Sequence, residues 1–448
     1  MTPAPTIAYA TLGCRLNQVD SRQLQGRLED RGFRTVPFGT RADVVVVNTC
    51  TVTARAELSD RQAIRRARRD SPGARVVVTG CWAQTNPADV AGLGGVDLVV
   101  GNADKPRLPD LLASLLDAEP AAHRVSGPPR VEVSDIGAAR IEVPGRVGRI
   151  EGRSRAFVKI QDGCQHCCAF CIVPFARGAS RSVPGEVIEE EVRRLVACGH
   201  PEVVLTGIDL GHWGADLTPR SSFAALLQRL VQVPGLRWLR LSSMLPAYFS
   251  EAVLDVLTTA PAIAPHFHVP LQSGSDRILR LMRRPYTVAM YRRVVERLTA
   301  AIPGAGLGAD AIVGFPGESE ADFEATLDLV NTLPFSYLHV FPYSERRGTE
   351  AAGWSGRVDS PTIAGRARRL RRAATARGLR FRQGLVGRVE DVLVLQTRDR
   401  ATGDLTGLTG SFVEVTFPGP ERLIRRLARV RVTAAGSDGV HGTLEDAA

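Results

Sequence analysis

Lysine is nearly absent: only Lys105 and Lys159 stand among 57 basic residues, and arginine supplies the rest. A formal charge of +10 would point to a polyanionic partner, but so complete a skew reflects coding bias as readily as function, and the total excludes little. Long apolar runs are missing too. No apolar stretch reaches the roughly 18 residues that a membrane helix needs. The opening MTPAPTIAYATLGC has neither the basic n-region nor the long apolar h-region of a secretory signal. Thr-Leu-Gly-Cys ending at Cys14 looks like a lipoprotein cleavage box, but the apolar stretch before it is too short to carry export. A soluble, cytoplasmic chain with no membrane partner is expected, and its 448 residues suffice for about two to four domains.

A reducing compartment argues against disulfides, so the eight cysteines point to metal or redox chemistry. Seven of them fall into two arrangements; Cys198, in EVRRLVACGH, reads as an ordinary core residue.

IAYATLG, DVVVVNT and RVVVTG alternate with amphipathic stretches, a βαβ pattern that predicts an open parallel α/β domain over 1–116. A Pro- and Gly-rich stretch, 117–149, reads as a linker. From 150 to 382 the candidate strands FVKI, EVVLT, RWLRL, HFHVP, LGADAIV and SYLHVFP, each followed by room for a crossover helix, predict a partial TIM-type (β/α)6 barrel. Short strands split by Gly and Asp over 383–448 predict a small antiparallel β-barrel.

DGCQHCCAFC places Cys164, Cys168 and Cys171 in a C-x3-C-x2-C loop after FVKI. Three thiolates on a short loop suit a 4Fe-4S cluster with one iron left open to a ligand. The alternative is zinc, because Cys164 with Cys167 and Cys168 with Cys171 also form two overlapping C-x2-C pairs. Cys14, Cys50 and Cys81 each follow an apolar strand, and in a parallel sheet those strand ends share one edge where open α/β folds bind ligands. They suggest a second cluster, against the alternative of three separate buried strand-end cysteines. Arginine clusters in Arg65–Arg69 and in Arg366–Arg382, the latter with eight arginines and no acid; each is either a polyanion-binding face or a solvated helix face.

The stretches TLGCRLNQVDS, VVNTCTVT, TGCWAQ, KIQDGCQHCCAFCIVPFARGASRS, HFHVPLQSGSDRILRLMRR, GFPGES and LHVFPYSERRGT resemble the methylthiotransferase family of radical S-adenosylmethionine (SAM) enzymes over nearly the whole chain. The flanks NTCTVT and GCWAQ are most similar to the branch acting on N6-threonylcarbamoyladenosine of transfer RNA. The resemblance implies a radical SAM cluster on Cys164, Cys168 and Cys171, an auxiliary 4Fe-4S cluster on Cys14, Cys50 and Cys81, and a C-terminal TRAM domain. It places SAM at the barrel mouth, on Thr206, Gly207, Ser242, Ser243, Gln272, Ser273 and Gly314. It also implies transfer RNA as substrate, an electron donor and a sulfur source. Arg368, Arg369, Arg371 and Arg372 are candidate RNA contacts.

The pattern departs from the family in three places. Cys167 is a surplus cysteine in the loop, TGIDLGHWG stands where Gly-Gly-Glu is common, and residues 383–448 hold eight arginines against nine acids. Other readings are the isopentenyladenosine branch, the branch modifying a ribosomal-protein aspartate, and a non-catalytic iron–sulfur protein that binds RNA or relays electrons.

Overall fold

The computed structural model describes residues 4–117, 128–139, 141 and 154–445. They form two compact units: the first from residues of 1–148 with 161–183 and 344–352, the second from residues of 149–160 with 184–343 and 353–448. Among the described residues no helix is long and apolar enough to cross a membrane.

The first unit contains β1 (Thr6–Thr11), α1 (Arg15–Glu29), β2 (Arg34–Val36), β3 (Val44–Thr49), α2 (Ala54–Asp70), β4 (Arg75–Gly80), α3 (Cys81–Thr85), α4 (Pro87–Ala91), β5 (Leu98–Val100), α5 (Leu108–Asp117) and β6 (Arg130–Glu132). The strands form one parallel sheet in the order β2-β1-β3-β4-β5-β6. Consecutive side chains of a strand point to opposite faces, which is why β3 and β4 read as unbroken valine runs. Ile7, Val44, Val46 and Val77 pack with Leu24 and Leu28 of α1 and Leu108 and Leu112 of α5. Val45, Val47, Val76 and Val78 pack with Ile64 and Ala67 of α2. Each fully buried valine contributes about 1.5–3 kcal/mol, so this doubly covered sheet is a rigid platform for its own C-terminal edge. The three strands legible in the sequence are joined by β2, β5 and β6. The last of these lies in the stretch 117–149 read as a linker, most of which is outside the described residues.

After β7 (Arg155–Lys159), which belongs to the second unit, the chain returns to the first as β8 (Gln161–Asp162), α6 (Val173–Arg177) and β9 (Arg181–Ser182). β8 and β9 pair antiparallel and close the base of the cysteine loop. The loop expected to belong to the barrel domain thus packs in the same unit as the N-terminal sheet, held by hydrogen bonds described below.

The second unit continues with α7 (Gly185–Ala197), β10 (Glu202–Thr206), α8 (Phe223–Leu230), β11 (Trp238–Leu241), α9 (Glu251–Thr259), β12 (His266–His268), α10 (Asp276–Leu281), α11 (Val288–Ala301), β13 (Gly306–Val313), α12 (Glu320–Thr332), β14 (Tyr337–Pro342) and α13 (Ser360–Gln383). Its six parallel strands run as β7-β10-β11 and β12-β13-β14, linked by one bridge between Leu239 and Ile263. This is the partial barrel that the strand pattern predicted. Then β15 (Val389–Arg398), β16 (Leu405–Thr409), β17 (Glu414–Phe417), β18 (Leu427–Ala435) and β19 (Val440–Leu444) close a five-stranded barrel.

That small barrel is seated on the parallel one within the same unit. Arg240, fully buried, pairs with Glu202 at 2.8 Å and donates to the Gly410 carbonyl at 2.9 Å. Phe412 lies 4.7 Å from the His266 ring, and Leu393 packs with Trp238 and Ala264.

Candidate functional site

The C-terminal edge of the first unit's sheet gathers Cys14, Cys50 and Cys81. Cys14 is the N-cap of α1 in extended conformation, and its side chain caps nothing. Cys50 follows β3, and Cys81 opens α3 directly after β4. Two glycines let these backbones approach. Gly13 has φ 86°, and a Cβ there would fall 2.5 Å from Cys50 Cβ and 2.7 Å from its Sγ. Gly80, at φ 103°, lies so close to the Thr49 backbone that any side chain would collide. The Cys50 thiol is pushed up to about 12 by burial, with Cys81 and Cys14 adding to the shift. A metal must therefore displace its proton to bind.

Polar side chains brace this edge. The amide of Asn17 donates to Leu12 O (2.8 Å) and Thr49 O (2.9 Å), the carbonyls leading into Cys14 and Cys50. Thr49 Oγ1 donates to Thr79 O at 2.6 Å. Asp60, fully buried, accepts the Cys50 N–H, and burial pushes its carboxyl up to about 8.

The second cysteine set lies in the same unit. Cys164 N–H donates to Gly178 O (2.9 Å) and Cys171 N–H to Cys168 O (3.0 Å), giving a compact loop. Cys168 is buried, Cys164 and Cys171 are half-buried, and the surplus Cys167 is exposed in the left-handed region at φ 48°. α6 ties this loop to the sheet edge. Arg177 reaches Asp162, Asn17 and Asp20, while Ala176 O accepts from Asn102, whose amide lies 3.7 Å from Cys81 Sγ. The segment 344–352 adds two further links. Arg346 pairs with Glu57 at 2.7 Å beside the Cys50 loop, and Ala351 N–H donates to Ala169 O between Cys168 and Cys171. Among the described residues no group of three His, Cys, Asp or Glu side chains is drawn together around a single point.

In the second unit the candidate SAM residues lie at the ends of parallel strands. Thr206 ends β10 and Gly207 follows it; Ser242 and Ser243 follow β11. The Ser242 hydroxyl is buried with no hydrogen-bond partner among the described residues. Gln272 has φ 64° and is held there by Asp310 O and Ile312 N–H, a strained backbone of the kind kept at binding sites. Two others have structural work. Ser273 Oγ accepts from Ser275 N–H, and Gly314 N–H donates to Glu318 at 2.7 Å. The sequence reading missed a hydrogen-bonded chain inside this barrel: Asp310 with His268 (3.0 Å), His268 with Tyr337 (3.0 Å) and Tyr337 with His266 (3.0 Å).

Of the four candidate RNA arginines, all exposed on α13, two are already engaged. Arg369 pairs with Glu320 and Glu324 and lies over Phe323, and Arg371 donates to Val340 O. Arg368 and Arg372 complete the outer face. Arg366 is buried against Glu318 and Glu320.

Residues 6–101 match an uncharacterized protein family, UPF0004, and residues 158–330 match the radical SAM superfamily. The threonylcarbamoyladenosine tRNA methylthiotransferase MtaB of Bacillus subtilis is 36% identical over 434 residues, covering 96% of this chain and 94% of that protein. The chain belongs to the methylthiotransferase family of radical SAM enzymes. A tRNA-2-methylthio-N(6)-dimethylallyladenosine synthase of Moorella thermoacetica is also 36% identical, covering 98% of both chains, so membership alone does not separate the two tRNA substrates. A radical SAM methyltransferase, TsrM of Kitasatospora setae, solved with cobalamin and a 4Fe-4S cluster bound, superposes with TM-score 0.55 at 19% identity over 76% of this chain and 75% of that one. At that identity the likeness shows the fold of this methylthiotransferase and no more.

Proposed function

We propose that this methylthiotransferase converts N6-threonylcarbamoyladenosine, beside the anticodon of cytoplasmic transfer RNA, to its 2-methylthio derivative. The observation that carries the reading is the packing of two three-cysteine sets in one compact unit, Cys14, Cys50 and Cys81 on the sheet edge and Cys164, Cys168 and Cys171 on the adjoining loop. Each set has the donors for a 4Fe-4S cluster with one iron free of protein.

When bound, the clusters and SAM supply a radical able to take hydrogen from the unreactive C2 of adenine, and sulfur to replace it. The residues' own part is to hold these groups. Asn17 and Thr49 fix the backbone entering Cys14, Cys50 and Cys81, and the β8–β9 pair closes the base of the other loop. Thr206, Gly207, Ser242, Ser243 and Gln272 line the barrel mouth for SAM, with Ser242 offering a free hydroxyl. Ser273 and Gly314 shape the turns around it. An external electron donor and sulfur source complete the reaction.

Nucleoside mass spectrometry of transfer RNA from a deletion strain tests the reading. Loss of 2-methylthio-N6-threonylcarbamoyladenosine, with its unthiolated precursor retained, is the expected result. Loss of the dimethylallyl product instead assigns the other branch, and loss of neither overturns the proposal.

A further inference from the structure

One buried side chain reaches between the two cysteine sets. Arg177, 2% exposed, donates through Nη1 to both oxygens of Asp162 (2.9 and 3.0 Å) and through Nη2 to Asn17 Oδ1 (2.6 Å) and Asp20 Oδ2 (3.0 Å). Asp162 stands two residues before Cys164 and Arg177 six after Cys171, so the guanidinium clasps both ends of that loop. Asn17 carries the connection onward, because its amide holds the carbonyls of Leu12 and Thr49 that lead into Cys14 and Cys50. Cys81 is reached from the neighbouring residue, through Ala176 O and Asn102. A planar fork with donors on two sides suits this bridging as an ammonium would not.

Charge matters as well as reach. The guanidinium bonds Asn17 and Asp20 in the first turns of α1, the helix whose N-cap is Cys14. A buried cation beside a thiolate-ligated cluster favours its more negative, reduced state, one of the ways a protein sets a cluster's potential.

We propose that Arg177 is a positioning residue for both iron–sulfur centres: it keeps the Cys164–Cys171 loop in register with the loops of Cys14 and Cys50, and its charge makes the auxiliary centre easier to reduce. The proposal rests on the assignment of the six cysteines as cluster ligands.

The test uses the full chain with Cys164, Cys168 and Cys171 replaced by Ala, reconstituted anaerobically so that only the auxiliary site loads, and titrated by electron paramagnetic resonance. In that background Arg177→Gln lowers the midpoint potential, Asp162→Asn raises it by removing the opposing charge, and Arg177→Lys stays near the parent. Potentials that move in the same direction for Gln and Asn, or do not move while the cluster is intact, overturn the electrostatic role. Should Arg177→Gln fail to fold, the Asp162→Asn and Arg177→Lys pair decides the same question. In the protein that keeps all six ligand cysteines, Arg177→Lys keeps the charge but loses the fork, and the methylthiolated nucleoside formed per 5′-deoxyadenosine falls several-fold. An unchanged ratio overturns the positioning role. A background protein that takes up no iron overturns the ligand assignment itself, a result distinct from either.

Discussion

The carboxyl group of Asp60 accepts the backbone N–H of Cys50 with both oxygens, at 3.1 and 3.3 Å, in a site closed to solvent. Asp60 lies on α2, which packs on the sheet, so the helix fixes the direction in which the chain leaves β3. Asp60→Ala leaves a buried N–H without a partner, at a cost of about 1–3 kcal/mol. Asp60→Asn keeps an acceptor in place and costs less. Denaturant unfolding of the two variants should show that order, and iron analysis should show Ala alone losing iron from the auxiliary site. Equal losses would mean that the hydrogen bond is not what holds Cys50.

The proposed reading gives the two cysteine sets different roles. Anaerobically reconstituted protein should hold roughly eight irons per chain as two 4Fe-4S clusters, and replacing either set of three by Ala should halve that. The chain lacking Cys14, Cys50 and Cys81 should still cleave SAM to 5′-deoxyadenosine under reduction while forming no methylthiolated nucleoside. Normal product from it would remove the auxiliary site from the chemistry. Full iron retention in the Cys164, Cys168 and Cys171 variant would show that these three cysteines do not hold a cluster.

Asp322 gives a pH-dependent check on the second unit. Its carboxylate takes hydrogen bonds from Ser319 in the capping box of α12, from Ser275 at 2.6 Å and from Arg277. Burial acts to raise its pKa, but these bonds outweigh it and hold the group well below the ordinary carboxylate range. An unfolded aspartate titrates at about 3.9. The group's contribution is therefore complete above that pH and lost as pH falls below it towards the folded value. Asp322→Asn should lower the melting temperature at neutral pH and flatten its decline below about pH 4. Parallel acid curves for parent and variant would show that Asp322 contributes nothing.

The sequence made some of this legible and not the rest, for identifiable reasons. The valine runs of β3 and β4 and the six barrel strands are local apolar signals, and a parallel sheet carries the cysteines that end β1, β3 and β4 to one edge without further information. β6 is three residues, Arg-Val-Glu, at the sheet's margin; a strand that short and polar has no period to read. Arg177 looks like one more arginine in PFARG. Its partners Asn17 and Asp20 lie more than 150 residues away, and only the folded unit brings them together. The Asp310–His268–Tyr337–His266 chain was hidden similarly, its members spread over three strands.

α13 shows both outcomes in one helix, and it yields the sharpest prediction about RNA. Its eight arginines carry no acid of their own, but α12 supplies acids from 45 to 49 residues upstream: Glu324 and Glu320 to Arg369, and Glu320 to Arg366. Arg366 is buried against Glu318 at 2.8 Å, so its charge is structural. Arg368 and Arg372 are exposed on the same helix and lie four residues apart, hence on one face. Phosphate contacts make affinity salt-dependent, and each one lost reduces the slope by about one unit. Reversing Arg368 and Arg372 to Glu should therefore weaken transfer RNA binding and flatten its salt dependence, with the melting temperature nearly unchanged. Reversing Arg366 leaves a buried carboxylate facing another, a cost of about 3–5 kcal/mol, and should destabilise the protein. Filter binding across a salt series, beside thermal melts, distinguishes the two classes. An unaltered salt slope in the Arg368 and Arg372 variant would mean that this face of α13 does not touch RNA.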